Sequence, residues 1–382
     1  MGTLNVLMLN YEFPPIGGGG GQAHRALLGE YANRADLHVD VLTCAPQPGF
    51  EVETFAPNIK IHKVGIKKAH LHFWRKSEVL AWLRRAKGPY RRLLRERRYD
   101  VAHAFFGFPT GWLCYRTAGR LPYVISLRGS DVPGRHARLQ LEYKILGPFV
   151  FKPIWRRAAA LVACSEGLKA RALRFMPSAQ IDVIPNGVDL KRFGPAETSG
   201  GDSRGALRLL TVGRLTETKR LPLLIDAVDH LRKEGCDVSL TIVGGGALEA
   251  ELRQAMGQKG LGDAITLAGR VDGGEMPDIY RGHDVFVSAS VQEGMSNAML
   301  EAMASGLPIV TTRCEGVEEL VTDNGLVVDE PQAARLAQAI KSLGDDRPAL
   351  AAMSRAARAQ AERFTWSAVA DRYLQIYEKV VT

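Results

Sequence analysis

The sequence predicts an α/β protein built from two doubly wound domains, and three observations carry that prediction. The chain has 382 residues, 46% of them hydrophobic, which suits two domains with ordinary cores. Short runs rich in Val, Ile and Leu alternate with helical patterns from end to end, as in parallel sheets covered on both faces. A Gly-, Ser- and Pro-rich stretch, "FGPAETSGGDSRGA" at 193–206, reads as a linker between the halves. The expected organisation is a first domain over 1–192, the linker, and a second domain over 207–364. Ligands of such sheets sit at the carboxyl ends of strands, so the loops that follow strands are where chemistry is expected, with a cleft between the domains.

In the first half the strands are "NVLMLN", "HVDVLT", "IKIHKVG", "DVAHAFF", "PYVISL" and "ALVACS". The first is followed by "PPIGGGGGQAHRALL", which opens a helix at about Ala23. Five consecutive glycines strip the turn of side chains, so backbone can approach a ligand and the helix N-terminus can face an anion. Two readings stand, a phosphate contact or a surface turn. The spacing fits neither a dinucleotide fingerprint nor a Walker loop. His103, in "DVAHAFFGFPTG", reads as ending its strand within reach of the cleft, or as structural.

In the second half the strands are "LRLLTVG", "VSLTIVG", "AITLAG", "DVFVSAS", "LPIVTT" and "GLVVD". Arg214 and Lys219 follow the first of them, ahead of a helix beginning near Leu221. Two cations at a strand terminus suit a diphosphate, and solvated loop charges are the alternative. "TIVGGG" (241–246) and "TLAGRV" (266–271) place Gly244, Arg270 and Val271 at further strand ends, each a weak signal alone.

"EGMSNAMLE" (293–301) follows "DVFVSAS" and leads into "AMASGLPIVTT". Asn297 is placed to cap a helix running to about Ser305, stopped by Gly306 and Pro308. Amides near Met295, Ser296 and Asn297 would then form an anion site. Glu293 stands before the helix and Glu301 about one turn inside it. Two acceptors flanking a diphosphate would bind hydroxyls on either side of it, a ribose and a sugar.

Composition bounds the partners. The first 190 residues carry a net charge of +14 and the rest −5, which together make the chain's +9. A basic half could meet nucleic acid, an acidic substrate or an anionic membrane. Residues 60–98 hold fourteen Lys and Arg against two Glu, interleaved with Phe73, Trp74, Trp82 and Tyr90. Val79, Leu80 and Leu83 read as one apolar stripe, broken at Gly88–Pro89. The segment is read as a packed helix with a solvated basic face, or as an interfacial element on anionic lipid. No nucleic-acid-binding motif accompanies it, so no nucleic acid is expected as a partner. Five scattered cysteines argue for a reducing compartment and against a zinc site. The start shows no basic leader or cleavage pattern and no apolar run approaches a membrane span, so the expected location is the cytoplasm, peripheral to the inner membrane face in the interfacial reading.

Taken together, "GGGGGQAH", "LRGSD", "VIPNGVD", "VGRLTETK", "TIVGGG" and "EGMSNAMLEAMASGLPIVTT" resemble the retaining glycosyltransferases of family four, of GT-B fold (glycosyl transferases group 1). The resemblance spans nearly the whole chain, in order, and is specific to this broad group but not to any one sugar. It implies a nucleotide-sugar donor held mainly by the second domain. Arg214 and Lys219 would grip the diphosphate, Glu301 the ribose hydroxyls and Glu293 the sugar hydroxyls. Met295, Ser296 and Asn297 would offer amides, Gly19 and Gly20 would close over the diphosphate, Gly244 would line the nucleotide pocket, and Arg270 and Val271 would contact the base through backbone. The last helix, roughly 365–381, would cross back onto the first domain.

One departure matters. Arg128 in "LRGSD", with Asp131 beside it, stands where many members carry a histidine, and a guanidinium cannot act as a base. His103, Arg128 and Asp131 are therefore placed on the acceptor side without an assigned step. The resemblance implies retention of configuration; no carboxylate is evident as a covalent nucleophile, so the reading left is front-face attack, and no Asp-x-Asp occurs, so no metal and no other cofactor is expected. The acceptor is read as a glycan or a lipid-linked precursor. A nucleotide-dependent oxidoreductase and a non-enzymatic basic binding protein are the alternative classes.

Overall fold

The computed structural model describes residues 3–134, 140–196 and 205–382. The chain forms two compact units, Met1–Asn186 with Trp366–Thr382, and Gly187–Thr365. Most of the expected linker, residues 197–204, lies outside the described residues. Residues 187–192, expected with the first half, fall in the second unit. Phe193 is buried there against Tyr280, and Val188 forms a bridge with Thr365.

The first unit runs β1 (Leu4–Asn10), α1 (Gly19–Tyr31), β2 (Leu37–Ala45), β3 (Gly49–Ala56), β4 (Ile59–Gly65), α2 (Lys76–Glu96), β5 (Val101–Phe105), α3 (Thr110–Tyr115), β6 (Tyr123–Leu127), α4 (Gln140–Leu146), α5 (Lys152–Arg157), β7 (Ala160–Ala163), α6 (Glu166–Phe175) and β8 (Ile181–Val183). Its sheet has the order β3-β4-β2-β1-β5-β6-β7-β8. Every pairing is parallel except β3 with β4, an antiparallel edge on a sheet expected to be parallel throughout. Central strands such as β5 are buried on both faces, which explains their unbroken apolar runs. β3 and β8 were not anticipated. Residues 49–54 of β3 are all exposed, so no alternation marks them, and β8 has only three residues.

Two local expectations need correction. α1 begins at Gly19, with Gly18 as its cap, and not at about Ala23. The glycines let this helix start close under the preceding loop. A Cβ on Gly21 would stand 2.4 Å from the Glu12 carbonyl oxygen, and one on Gly20 would stand 3.0 Å from the Phe106 ring. α2 continues through Pro89, where a break was expected. Its buried face is Glu78, Trp82, Ala86, Tyr90 and Leu93, at helical spacing. The Trp82 indole donates to the Thr43 carbonyl at 3.3 Å, and the Tyr90 hydroxyl lies 2.6 Å from Thr117 Oγ1. Anchors on both sides of Pro89 offset the hydrogen bond it forgoes. Trp82 and Tyr90 are thus core residues, while Leu80 is 55% exposed.

The second unit runs β9 (Leu207–Val212), α7 (Leu221–Lys233), β10 (Val238–Val243), α8 (Glu249–Lys259), β11 (Ile265–Gly269), α9 (Met276–Arg281), β12 (Val285–Ser288), α10 (Asn297–Ala304), β13 (Ile309–Thr312), α11 (Val317–Leu320), β14 (Gly325–Val328), α12 (Ala333–Asp345) and α13 (Arg347–Ala361). Its sheet, β11-β10-β9-β12-β13-β14, is parallel throughout. Leu209, Ile225, Leu252, Val285 and Leu336 lie at the centre of its core.

The last helix, α14 (Trp366–Val381), belongs to the first unit. Its buried Tyr373 and Tyr377 reach the sheet. The Tyr377 hydroxyl lies 2.5 Å from His103 Nδ1, and the Tyr373 hydroxyl 2.8 Å from Ser126 Oγ.

Candidate active site

Strand order decides which loops meet. In the second sheet, β9 lies between β10 and β12, so the connections leaving β9 and β12 diverge and a crevice opens at their carboxyl ends. The two loops there are 213–220 and 289–296. The Val291 amide donates to the Thr218 carbonyl at 2.9 Å, tying one loop to the other. Lys219 Nζ pairs with Glu293 Oε1, and the Ser290 hydroxyl donates to the same oxygen at 2.9 Å. A small pocket opens beside them, lined by Gly213, Arg214, Lys219, Ser288, Ser290 and Ser296. Arg214 is exposed at its rim.

The backbone of this crevice is built from glycine. Gly244 has φ +139°, and a Cβ there would fall 1.8 Å from the Gly213 carbonyl oxygen. The strand end carrying Gly213 therefore lies directly on the turn after β10. Arg220, at φ 46°, makes the left-handed turn from the Lys219 loop into α7. The Arg270 side chain packs over Gly245, and Val271 is half-buried beside it.

α10 is capped by Ser296 and not, as expected, by Asn297. Ser296 is extended at φ −86°, ψ 108°, and its hydroxyl accepts the Met299 amide at 3.3 Å. Asn297 is the first helical residue, so its side chain is no longer placed to reach the third amide onward. Met295 and Ser296 are buried and Asn297 half-buried. One turn into α10, Glu301 Oε2 accepts the Tyr280 hydroxyl at 2.8 Å. Burial pushes the Glu301 carboxyl up to about 7, against the opposing pull of Tyr280 and Arg192. Cys314 is a half-buried neutral thiol. Burial first and Glu293 second raise it to about 12, although Lys219 pulls the other way.

In the first unit the corresponding reversal lies between β1 and β5. Gly19 and Gly20 stand there in the first turn of α1, and a Cβ on Gly20 would be 3.8 Å from Arg128 Cβ. Arg128 donates to Asn186 Oδ1 at 2.7 Å and to the Tyr373 hydroxyl at 3.3 Å, over the Phe105 ring. Asp131 accepts the amides of Gly107 (2.7 Å) and Arg128 (2.9 Å), joining the turns after β5 and β6. Burial raises its pKa although those hydrogen bonds oppose the shift.

His103 corrects an expectation. It is the middle residue of β5, fully buried, and its ring nitrogens face Tyr377 and Ser126 Oγ at 2.5 and 2.7 Å. Burial, then His24 and Arg128, hold it well below the usual imidazole range, so it is neutral. Both nitrogens are committed, which leaves none for an incoming substrate.

Sequence reading missed Ser290 and Tyr280. Ser290 was within reach, because it ends the same strand segment that precedes Glu293. No signal marked Tyr280, which is brought to Glu301 by the packing of α9 against Phe193 and Phe286.

Two doubly wound sheets in one chain, the second with its cations, carboxylates and capped helix gathered at a switch point, define a GT-B protein. The chain belongs to the family-four glycosyltransferases. Residues 18–192 match the family described as Glycosyltransferase Family 4, and residues 206–346 match Glycosyl transferases group 1. Among curated relatives, the D-inositol 3-phosphate glycosyltransferase of Arthrobacter sp. (strain FB24) is 34% identical over 53% of this chain and 50% of that protein. The putative colanic acid biosynthesis glycosyltransferase WcaL of Escherichia coli (strain K12) is 31% identical over 69% of this chain and 66% of its own. The chain thus spans about half the length of the first of these relatives and about two thirds of the second. Among solved structures, sucrose-phosphate synthase from Thermosynechococcus elongatus superposes with a TM-score of 0.82 at 20% identity, covering 99% of each chain. At that identity the likeness is one of fold.

Proposed function

We propose that the protein transfers a hexose-type sugar from a UDP- or GDP-sugar to a hydroxyl of a lipid-linked or polysaccharide precursor, with retention of configuration and without a metal. The observation that carries this reading is the meeting of Lys219, Glu293, Ser290 and the α10 N-terminus at one switch point, with Arg214 at its rim. Cations and helix-end amides at one place suit a diphosphate, and a carboxylate among them suits sugar hydroxyls. Lys219 and Glu293 hold each other here. A donor would replace that contact with phosphate on the lysine and hydroxyls on the glutamate. Glu301 takes the ribose, and Gly244, Arg270 and Val271 line the nucleotide's path.

In this reading the acceptor oxygen attacks the anomeric carbon on the face the diphosphate leaves. A carbon–oxygen bond forms to the acceptor as the bond to the phosphate oxygen breaks, and the acceptor's proton passes to the departing diphosphate. Arg214, Lys219 and the amides at Met295, Ser296 and Asn297 stabilise the growing charge. Each well-placed donor is worth roughly 3–4 kcal/mol in such a step. No carboxylate is assigned as a covalent nucleophile, because Glu293 is occupied with hydroxyls.

The first unit is the part read as meeting the acceptor, and WcaL's association with colanic acid biosynthesis favours a polysaccharide precursor. Arg84, Lys87, Arg91 and Arg95 are exposed on α2, opposite its buried face, and present a basic stripe to an anionic membrane. Among the described residues no helix is long and apolar enough to cross a membrane. The deciding experiment incubates the protein with UDP- and GDP-sugars and extracted lipid or oligosaccharide acceptors. It follows nucleotide release and determines the anomeric configuration of the product by NMR. Failure to release either nucleotide with any donor would refute the reading.

A further inference from the structure

We propose that Tyr280 is a positioning residue for the nucleotide, its hydroxyl holding one oxygen of Glu301 so that the other is presented to the ribose. The proposal rests on the assignment of Glu301 to the ribose and goes beyond it, since Tyr280 lies on a different element and would not touch the donor.

The geometry is specific. Tyr280 is fully buried on α9, with its ring at 5.7 Å and 83° from Phe193 and 6.4 Å and 32° from Phe286. Those contacts fix the ring, and its hydroxyl donates to Glu301 Oε2 at 2.8 Å. Among the described residues Tyr280 is the hydrogen-bond partner shown for that carboxylate. A carboxylate has two oxygens, and one firm donor on Oε2 fixes the plane in which Oε1 accepts. The groups facing Glu301 are Tyr280 from α9 and Arg192 from the segment after β8, whose guanidinium also donates to the Gly273 carbonyl.

A functional consequence separates this role from simple packing. A carboxylate that accepts two ribose hydroxyls must be ionised, whereas a neutral acid would spend its own proton as a donor. Burial disfavours the charged form and the tyrosine hydroxyl favours it. The sign follows: affinity is full above the carboxyl's pKa and declines as pH falls through it. Removing the hydroxyl leaves Arg192 alone to oppose burial, which raises that pKa and moves the decline to higher pH.

The test measures affinity for UDP-glucose and GDP-mannose by calorimetry from pH 5.5 to 9. These diphosphate diesters carry no phosphate that titrates in that range. The wild-type protein should lose affinity below about pH 7, approaching tenfold per pH unit. In Tyr280→Phe affinity should already be lower at pH 9, where the carboxylate is ionised but no longer held, and the decline should begin at a higher pH than in wild type. Glu301→Gln should bind weakly at every pH. An unshifted decline in Tyr280→Phe, or wild-type affinity of that variant at pH 9, overturns the positioning role. Wild-type-like binding by Glu301→Gln, or no binding of either nucleotide sugar by the unaltered protein, overturns the ribose assignment itself.

Discussion

Lys219 and Glu293 are 74 positions apart and share a contact because β9 and β12 are neighbours. Their pairing sharpens what single replacements should do. Lys219→Ala and Arg214→Ala should each lower turnover by about two to three orders of magnitude with the enzyme saturated by donor, if both act, as proposed, on charge that develops in the transition state. Both lie in loops, so circular dichroism should be unchanged. Near-normal turnover in both variants would remove them from the diphosphate grip. Glu293→Gln releases the lysine from its carboxylate partner while keeping the side-chain shape. Free UDP or GDP should then bind at least as tightly as to wild type, while sugar transfer is lost. Weakened nucleotide binding in this variant would show that Glu293 meets the nucleotide rather than the sugar.

At the scale of elements, three helices, α1, α2 and α10, differ from their reading in sequence, and for the last two the difference is measurable. Ser296 caps α10, so Ser296→Ala should cost about 1 kcal/mol of stability, and Asn297→Ala should leave that cap intact. A larger loss from Asn297→Ala in urea denaturation would reverse the assignment. In α2 the buried face is the Trp82 face and Leu80 is exposed. Trp82→Ala should cost roughly 3–5 kcal/mol, whereas Leu80→Ala should stay within about 0.5 kcal/mol of wild type. Equal effects would mean that the helix is rotated.

At the scale of the whole molecule, the +14 charge of the first 190 residues concentrates in residues 60–98. Some of that charge is not on the surface. The Lys68 side chain is 1% exposed, pairs with Glu78 at 3.0 Å and lies over the Trp74 ring. The free stripe on α2 is Arg84, Lys87, Arg91 and Arg95. Binding to vesicles containing anionic lipid should be strong at low salt and weak at high salt, each cation contributing about 1 kcal/mol near the surface. Reversing these four to Glu should abolish pelleting with the vesicles while leaving transfer to a soluble acceptor analogue. Indifference of the unaltered protein to such vesicles at low salt would make the stripe a solvated face. EDTA should leave transfer unaffected; a loss restored by magnesium or manganese would put a metal into the reaction.

What the sequence by itself determined is whatever leaves a local trace. Strands buried on both faces are continuous apolar runs, so β5 and β12 were legible; β1 and the partly buried strands of the second sheet were legible from their Val, Ile and Leu content, and with them the α/β class. Glycines and charges at strand ends marked the loops that hold the candidate site. Exposed β3 left no alternation, and α2 ran through a proline that local rules read as a break. Only the tertiary structure decided pairings between distant elements. It joined Lys219 to Glu293 and Tyr280 to Glu301, and it turned His103 inward onto Tyr377 and Ser126. Residue type and spacing report the chain's local preference for helix, strand or turn. Which side chains share a hydrogen bond depends on strand order and helix packing, and neither is written in any short stretch of the chain.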